Sequence, residues 1–304
     1  MSRRQLAGFL VLSLIWGSTW AAIRVVVQHM PPLRSVSFRF LLASVVLLPI
    51  MLVRRPRLPK GREWGVLIVL GIAMVVLPFS LVAWAEQRIS SGMTSVIFAT
   101  SPLFTAWMES FVGRPKQSKR VPRMALFAML AGFGGMVLVL SGAISTSSAQ
   151  AGGAVAVLLV VVVGSATSIL AKHELKGIPP LTASTVQCLV TGVLLGLTSL
   201  VVERGQVTHW TISTVAAMLF LGVISSALAF LIFYWLIVDL EPYKLAARQL
   251  IMPVIAITEG ALLLHEPLPW TMVVGALVVF VSVVMVLRAR IEGDDLPQLN
   301  VTSK

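Results

Sequence analysis

Residues 71–102, GIAMVVLPFSLVAWAEQRISSGMTSVIFATSP, align without a gap with residues 222–253, GVISSALAFLIFYWLIVDLEPYKLAARQLIMP. Glycine, tryptophan and proline are uncommon enough for their joint alignment to indicate an internal duplication. A slightly smaller offset between the two halves also aligns Arg39 with Gln187. The sequence therefore divides into two related halves of roughly 150 residues. The identical pairs in the quoted stretches are Gly71 and Gly222, Leu77 and Leu228, Phe79 and Phe230, Trp84 and Trp235, and Pro102 and Pro253.

The composition indicates a membrane protein. Apolar residues make up 57% of the 304 residues, charged residues only 12%, and the mean hydropathy is +0.93. A soluble surface cannot be built from so few charges. A bilayer core of about 30 Å needs about 20 apolar residues per helix. This length predicts ten spans, at approximately 6–27, 35–53, 64–85, 92–112, 124–143, 153–171, 182–202, 212–238, 244–264 and 270–287.

The distribution of cationic residues predicts the topology. With both termini in the cytoplasm, the cytoplasmic segments hold 18 Lys and Arg, whereas the outer loops hold only Arg34, Arg88 and Arg204. Ten of these cations lie in the two loops 54–62 and 114–123. The positive-inside rule therefore predicts cytoplasmic N and C termini. Because the charge is concentrated in short loops, it does not predict a nucleic-acid-binding face.

A repeat of five spans, an odd number, must enter the membrane from the opposite side the second time. The loops agree, because the basic loop 54–62 corresponds to 202–210, which has one Arg, and basic 114–123 corresponds to 264–270, which has none. Inverted repeats are typical of secondary transporters, whose substrate site lies near the midplane. The sequence thus predicts an all-α membrane protein of ten transmembrane helices in two inverted five-helix repeats. The predicted units are residues 1–145, residues 152–290 and a disordered cytoplasmic tail, 291–304.

Three short motifs carry a family resemblance. They are WGSTWA at 16–21, FRFLLA at 38–43 and TEGALLLHEPL at 258–268. Together with ten spans in two repeats, they resemble the EamA family of the drug/metabolite transporter superfamily over essentially the whole chain. The resemblance implies an exporter of amino acids or related metabolites in a bacterial inner membrane, similar to the YddG-type exporters. It does not identify the substrate.

Two positions depart from the patterns of related families. The family's glutamate after the ninth span is present as Glu266, but the corresponding place in the first half holds Pro115. Small multidrug-resistance relatives carry a proton-binding glutamate in the middle of span one, and this span has none. The resemblance therefore does not carry proton-coupled antiport to this chain. Secondary and facilitative transport both stay open.

Polar and aromatic residues within the spans are the candidate lining of a substrate cavity. A charge in the apolar core costs at least about 2.5–3.5 kcal/mol, so such residues are functional hypotheses. We expect Arg24, Glu86 and Arg88 to lie at the outer ends of spans, where long side chains reach the interface. Ligand contact and simple packing are both open for a midplane tryptophan such as Trp16. The candidate cavity residues are Trp16, Trp20, Trp84, Tyr234, Gln187 and Gln249.

Arg248 and Glu259 are 11 residues apart, within about 20° of the same helical face. By depth, Arg248 can pair with Glu109 near the cytoplasm, and Glu259 can pair with Arg39 near the outside. We hypothesise that these pairs close opposite gates. The alternative is that they are static ion pairs that hold the bundle. Pro102 and Pro253 interrupt backbone hydrogen bonding and are the candidate flexing points.

The predicted function is export of amino acids, aromatic or otherwise neutral, or of related metabolites by alternating access through a central cavity. The alternatives are a channel-like or scaffold membrane protein, a membrane enzyme, and an exporter of drugs or cationic compounds. No phosphate-loop motif, no H-E-x-x-H and no metal-ligand spacing occur in the sequence. We therefore expect no enzyme, no cofactor and no metal site. The expected partners are a small-molecule substrate and membrane lipid, and both a monomer and an oligomer stay open.

Overall fold

The computed structural model describes residues 2–112, 123–144, 147–240, 245 and 247–294, and this part of the chain contains helices and no strand. Six of the helical segments are long and apolar enough to cross a membrane, and shorter apolar helices accompany them. The chain makes ten helical passages, as predicted. Spans one to ten are Arg3–Val27, Pro32–Arg54, Arg62–Glu86, Ser91–Val112, Arg123–Ile144, Ser148–Glu174, Pro180–Val202, Ile212–Asp239, Ala247–Leu263 and Trp270–Asp294.

The two halves begin their second helices in the same way. Pro32 and Pro180 are the first residues of spans two and seven, and each follows another proline with extended backbone. Proline is suited to this position because its fixed φ matches the helix and its missing N–H would have no helical partner. The duplicated Pro-Pro-Leu sequence therefore sets the same helix start in both halves.

Spans three and eight are interrupted by π-helix at aligned positions. Span three contains π-helical Ile72–Val76, and span eight contains π-helical Phe220–Leu228. The alignment places 72–76 on 223–227, inside the second segment. A π-helical turn accommodates an extra residue, shifts the hydrogen-bond ladder and occurs frequently at functional sites. Both copies therefore share one backbone irregularity near the middle of the membrane.

Spans four and nine are also discontinuous. Span four consists of the helices Ser91–Phe98 and Ser101–Val112, and span nine consists of the 3-10 turn Ala247–Leu250 and the helix Met252–Leu263. Pro102 and Pro253 are the second residues of the helices that follow the breaks, where a missing N–H costs little. Both prolines therefore lie directly after a helix break and not inside a continuous helix. Their role as flexing points stays a prediction.

Equivalent helices of the two halves pack against each other. Span two packs extensively along span seven, and span five packs along span ten. A side chain at Gly192 would lie 2.9 Å from Leu41, and one at Gly275 would lie 2.7 Å from the carbonyl oxygen of Gly135. Small residues let membrane helices approach closely, so these glycines fix the contacts between the halves.

The end of the bundle where span one begins and span ten ends is named the terminal face. There, Arg57 of the first half bonds Glu63 at 2.7 Å and donates to the carbonyl of Gly177 in the second half. Arg62 also bonds Glu174 at 3.0 Å, and the basic loop therefore connects the halves.

The opposite end of the bundle is named the far face. Glu203, just after span seven, accepts hydrogen bonds from the backbone N–H groups of Leu33 at 2.7 Å and Arg34 at 2.8 Å. These are free donors in the first turn of span two, so the carboxylate caps that helix and complements its dipole. The first half is thus held to the second half at this face as well.

The predicted unit boundaries require one correction. Span ten continues as helix to Asp294, beyond the predicted end of the second unit at 290, so residues 291–294 are not a disordered tail. The remainder of the predicted tail, 295–304, lies outside the described residues. The sequence from 291 begins with apolar Ile291, which lets the last helical turn continue.

The prediction of inverted halves leads to a labelling experiment. Cysteines placed singly at Lys60 and Val207, in a Cys188→Ala background, are expected to react with an impermeant thiol reagent from opposite sides of the membrane. The two residues occupy corresponding loops, and both positions are exposed. Labelling of both from one side would contradict the inverted arrangement.

Candidate functional site

A cavity of about 170 Å³ lies between the two halves at the middle of the bundle. Its walls come from spans one to four and six, eight and nine, so both halves contribute. Aromatic rings form much of the lining, including Phe79, Phe98 and Phe233. The lining also includes four of the predicted cavity residues, Trp16, Trp20, Tyr234 and Gln249, and two of the predicted gate residues, Arg39 and Arg248. The lining is therefore mainly apolar with a few polar groups, which is typical of a small-molecule site.

Arg39 joins the halves beside the cavity. Its Nε donates to the Ser226 hydroxyl at 2.7 Å, and its Nη2 donates to the Ser225 hydroxyl at 3.0 Å. Both serines lie in the π-helical segment of span eight, where Ser225 also offers its carbonyl oxygen to Trp16 Nε1 at 3.1 Å. The guanidinium carbon lies 4.7 Å from the centroid of the Phe79 ring. Neutral hydroxyls and an aromatic face thus hold this buried cation.

Arg248 and Gln249 present unused hydrogen-bonding groups at the cavity. Arg248 is 8% exposed, donates to the carbonyl of Leu245 at 2.6 Å and lies 4.8 Å from the centroid of the Trp16 ring. Its Nε has no partner in the described part of the chain, and neither has Gln249 Oε1. Buried polar atoms are almost always bonded, so these two residues of the lining each keep an unused hydrogen-bonding capacity.

Trp20 adds a third atom of this kind. Its ring is 6% exposed and packs 4.7 Å, centroid to centroid, against Phe98, while its Nε1 lacks a partner among the described residues. Three residues of the lining thus each carry one buried atom without a hydrogen-bond partner among the described residues: the donors Trp20 Nε1 and Arg248 Nε, and the acceptor Gln249 Oε1. We call these three residues the polar triad.

Two predicted cavity residues lie outside the lining. Gln187 is one layer behind it, where it accepts from the Tyr234 hydroxyl and donates to the carbonyl of Leu67 at 3.3 Å. Trp84 is 37% exposed and stacks on Arg88, whose guanidinium carbon is 3.7 Å from the ring centroid. The expectation that Trp84 lines the cavity is wrong, because its side of the helix faces outward.

The aligned partner of Trp84 explains its place. Trp235 is equally exposed, at 37%, and its ring lies 2.8 Å from the position of a Cβ on Gly8 of span one. The ring of Trp84 lies 3.6 Å from the position that a Cβ on Gly152 of span six would take. Each tryptophan thus rests on a glycine of the opposite half, and the duplicated residue serves packing between the halves.

The structure does not bring together one of the two predicted gate pairs. Glu259 accepts a hydrogen bond from the Ser18 hydroxyl at 2.7 Å, whereas Arg39 bonds the serines of span eight. The pairing of Arg39 with Glu259 is therefore wrong, since neutral hydroxyl groups satisfy both charges. Glu109 lies in the helix Ser101–Val112, but its side chain is outside the described part, so its pairing with Arg248 stays a prediction.

A set of contacts joins Glu266 to the first half at the far face, and we call it the far-face clasp. The Glu266 carboxylate accepts from the N–H of Ser91 at 3.0 Å and its hydroxyl at 2.7 Å, and lies 3.8 Å from Arg24 Nε. It thereby caps the helix Ser91–Phe98. Gly260 makes room for it, because a Cβ there would lie 2.5 Å from the carboxylate.

Glu86 lies at the outer end of span three, as predicted, but its side chain does not reach the interface. Its side chain is 0% exposed, and both carboxylate oxygens lack a hydrogen-bond partner among the described residues. Arg24 donates to the backbone carbonyls of Glu86 and of Ile89, the latter at 3.2 Å, and not to the Glu86 side chain. The sequence predicts the distance to the helix end correctly, but it does not show that other elements, among them the Glu266 loop, surround this end.

Sequence reasoning also missed the hydroxyl groups around Arg39. Thr19 and Ser225 lie 2.6 Å apart, oxygen to oxygen, and connect spans one and eight. A signal was present in the adjacent Ser225-Ser226 pair, which is the polar interruption of an otherwise apolar span. Consecutive hydroxyls in the membrane need partners, so such a pair indicates a buried polar contact.

Comparisons with known proteins agree with this architecture. The sequence profile described as the EamA-like transporter family matches residues 4–141 and again residues 151–288. The uncharacterized transporter YoaV of Bacillus subtilis is 25% identical over 286 residues, covering 93% of this chain and 96% of that protein. The uncharacterized inner membrane transporter YedA of Escherichia coli K12 is 26% identical, covering 82% and 79%.

Two further comparisons address a named relative and the fold. The protein PagO of Salmonella typhimurium is 26% identical over 252 residues, with 82% of each chain covered. One solved crystal structure resembles 95% of this chain and 99% of its own, with a TM-score of 0.69 and 18% identity. At that identity the likeness shows the fold alone.

Proposed function

The chain belongs to the EamA-like transporter family, and we propose that it exports small zwitterionic metabolites, foremost neutral or aromatic amino acids. Its matched relatives include proteins named as transporters, which places it among membrane transporters. The proposed substrate class rests on the cavity. The proposed membrane is a bacterial inner membrane, with both termini on the cytoplasmic side.

The observation that carries the substrate class is the polar triad. A carboxylate needs donors, which Arg248 Nε and Trp20 Nε1 supply, and an ammonium group needs an acceptor, which Gln249 Oε1 supplies. Leaving these atoms unpaired in a dry site is costly, and one zwitterion can satisfy all three. The aromatic walls then accommodate an apolar or aromatic side chain.

The charges of the lining disfavour cationic drugs as substrates. Arg39 and Arg248 both border the cavity, and the described lining contains no Asp or Glu. A cation without an acidic partner would be repelled in this low-dielectric space. An anionic or zwitterionic molecule is attracted instead.

Alternating access is the mechanism we propose for export. We assign the structure to the state closed at the far face, because the clasp joins the halves there and Trp20 packs on Phe98 in the cavity wall. Both halves carry π-helical and broken segments beside the cavity, where discontinuous helices of transporters change shape. Exchange of the two halves' conformations would then open the far face and close the terminal face.

Counterflow in liposomes tests the proposal. Liposomes that contain the purified protein are loaded with an unlabelled neutral amino acid. They are expected to accumulate the labelled amino acid from outside at a rate that saturates with its concentration. A channel would give neither accumulation by exchange nor saturation. A screen over amino acids, amines and carboxylic acids distinguishes the charge classes. Counterflow by amines alone would contradict the zwitterion assignment, and unsaturable ion conductance would favour a channel.

Replacement of Gln249 by Leu tests the proposed ammonium contact. The variant is expected to raise the KM for a neutral amino acid about tenfold, because roughly 1–1.5 kcal/mol of hydrogen bonding to the ammonium is lost. The KM of a carboxylic acid without an amine is expected to change little. Trp84→Leu is the control, since Trp84 lies outside the cavity. An equal loss for both substrates would contradict the contact.

A further inference from the structure

Glu86 is a buried carboxyl group that the cavity chemistry does not use. It ends the helix Leu77–Glu86 at the far face, and neither of its oxygens has a hydrogen-bond partner in the described part of the chain. The nearest cation, Arg24, directs one nitrogen to backbone carbonyls of this turn and another to within 3.8 Å of Glu266. The side chain of Glu86 therefore has no ion pair.

The charged groups that act on Glu86 come from three directions. Glu266 of the clasp repels a carboxylate there, while Arg24 of span one and Arg39 of span two attract it. The helix Ser91–Phe98 contains no titratable residue, and neither does span six between Ser148 and Ala171. Span six reaches this region where Gly153 packs on the carbonyl of Ala85. Neither of these two elements therefore offers Glu86 a counterion.

An ionised carboxylate in this position is much less stable than a neutral acid. Removal of a charge from water without pairing is far costlier than removal of a neutral polar group. A carboxyl group in such surroundings takes up a proton and becomes neutral. The closed far face is thus compatible with the acid form of Glu86, and the carboxylate form requires water or a direct partner.

We propose that Glu86 is a proton-binding site that couples protonation to the far-face clasp. The acid form belongs to the closed state. When its O–H bond breaks, the proton leaves to the solution on the far side, and the remaining carboxylate attracts Arg24 away from Glu266. Loss of the contact between Arg24 and Glu266 weakens the clasp, and the far face opens. The proposal deepens the proposed function, and rests on it for the transport cycle that the proton would drive.

Infrared spectroscopy of the protein without substrate tests the protonation directly. At neutral pH the wild type is expected to show the C=O stretching band of a buried carboxylic acid, and Glu86→Gln is expected to lack it. Glu86→Asp, which retains the acid, is expected to shift the band. Absence of the band from the wild type, or an unchanged band in the variants, would overturn the proposal. The wild-type measurement holds even if a variant does not fold.

Thiol labelling tests the coupling. A cysteine at Ile23, a buried residue of the cavity lining next to Arg24 in the chain, reports far-face opening in a Cys188→Ala background. Because only the thiolate reacts, the rate is divided at each pH by that of the exposed Val207→Cys, labelled from the same side. This ratio is expected to rise at least about tenfold as pH rises from roughly 5 to 9, a range that spans documented buried glutamates. In Glu86→Gln the ratio is expected to stay low at all pH values.

These readouts separate two kinds of failure. Neither contains a substrate, so an error in the substrate class would leave them unchanged and would appear only in counterflow. If Glu86→Gln retains the wild-type pH dependence of Ile23→Cys labelling, Glu86 does not couple to the clasp and the proposal is wrong. If Glu86→Asp keeps the pH dependence that Glu86→Gln has lost, the ionisable carboxyl is the cause.

Discussion

Replacement of Arg248 by Gln is expected to lower the initial rate of neutral amino-acid counterflow about 10- to 100-fold. Hydrogen bonds to a charged group contribute about 1.5–3 kcal/mol, and Arg248 is the cavity cation with an unused donor. Arg39, by contrast, is engaged by Ser225 and Ser226. The loss is expected in KM and in kcat/KM, measured in proteoliposomes over a range of substrate concentrations.

Two controls accompany this variant. Arg248→Lys keeps the charge but loses the planar contact with Trp16 and Phe233, so an intermediate rate is expected. Arg88→Gln removes a cation that stacks on Trp84 outside the cavity, and a wild-type rate is expected. Should Arg248→Gln transport like the wild type, the residue is structural and the substrate class must rest on other groups.

Replacement of Glu266 by Ala is expected to open the far face. The change removes every acceptor that caps Ser91 and Gly92 and leaves Arg24 without its ion pair. A helix cap alone contributes about 1 kcal/mol, and a population shift needs only a small difference between states. Far-side labelling of Ile23→Cys is therefore expected to accelerate about tenfold or more.

Two glycines provide a matched test of the same contact. Gly260→Ala places a methyl group 2.5 Å from the Glu266 carboxylate and is expected to accelerate the labelling, though less than Glu266→Ala does. Gly134→Ala is the control, because an added methyl there meets nothing within 4 Å. Equal labelling of Gly260→Ala and Gly134→Ala would show that the clasp does not control access.

The sequence predicted the architecture better than the contacts. The Gly71 and Pro102 matches identified the duplicated stretch whose breaks the structure displays, since backbone irregularities recur with the repeat. The match of Trp84 with Trp235 does not show which side of the helix these residues occupy, because tryptophan suits both a cavity wall and an interface. Arg39 could not be paired from depth alone, since hydroxyls from another span compete with a distant carboxylate.

Two features lay beyond what a single sequence can express. The π-helical turns arise in ordinary apolar sequence, where no single residue type marks the extra position. The burial of Glu86 depends on the Glu266 loop, which comes from the other half of the chain. Contacts of this kind between the halves are decided by the assembled bundle and not by local pattern.

The two π-helical segments have a consequence for the history of the chain. An extra residue in a helix rotates everything after it by about 100°, so its gain or loss would turn Trp84 or Tyr234 to a different neighbour. Because the π-helical segments occupy aligned positions in both halves, one insertion in a five-helix ancestor accounts for both of them. This is simpler than two separate insertions after the duplication. Deletion of one residue from only one π-helical segment would therefore remove a correspondence between the halves that dates from before the duplication.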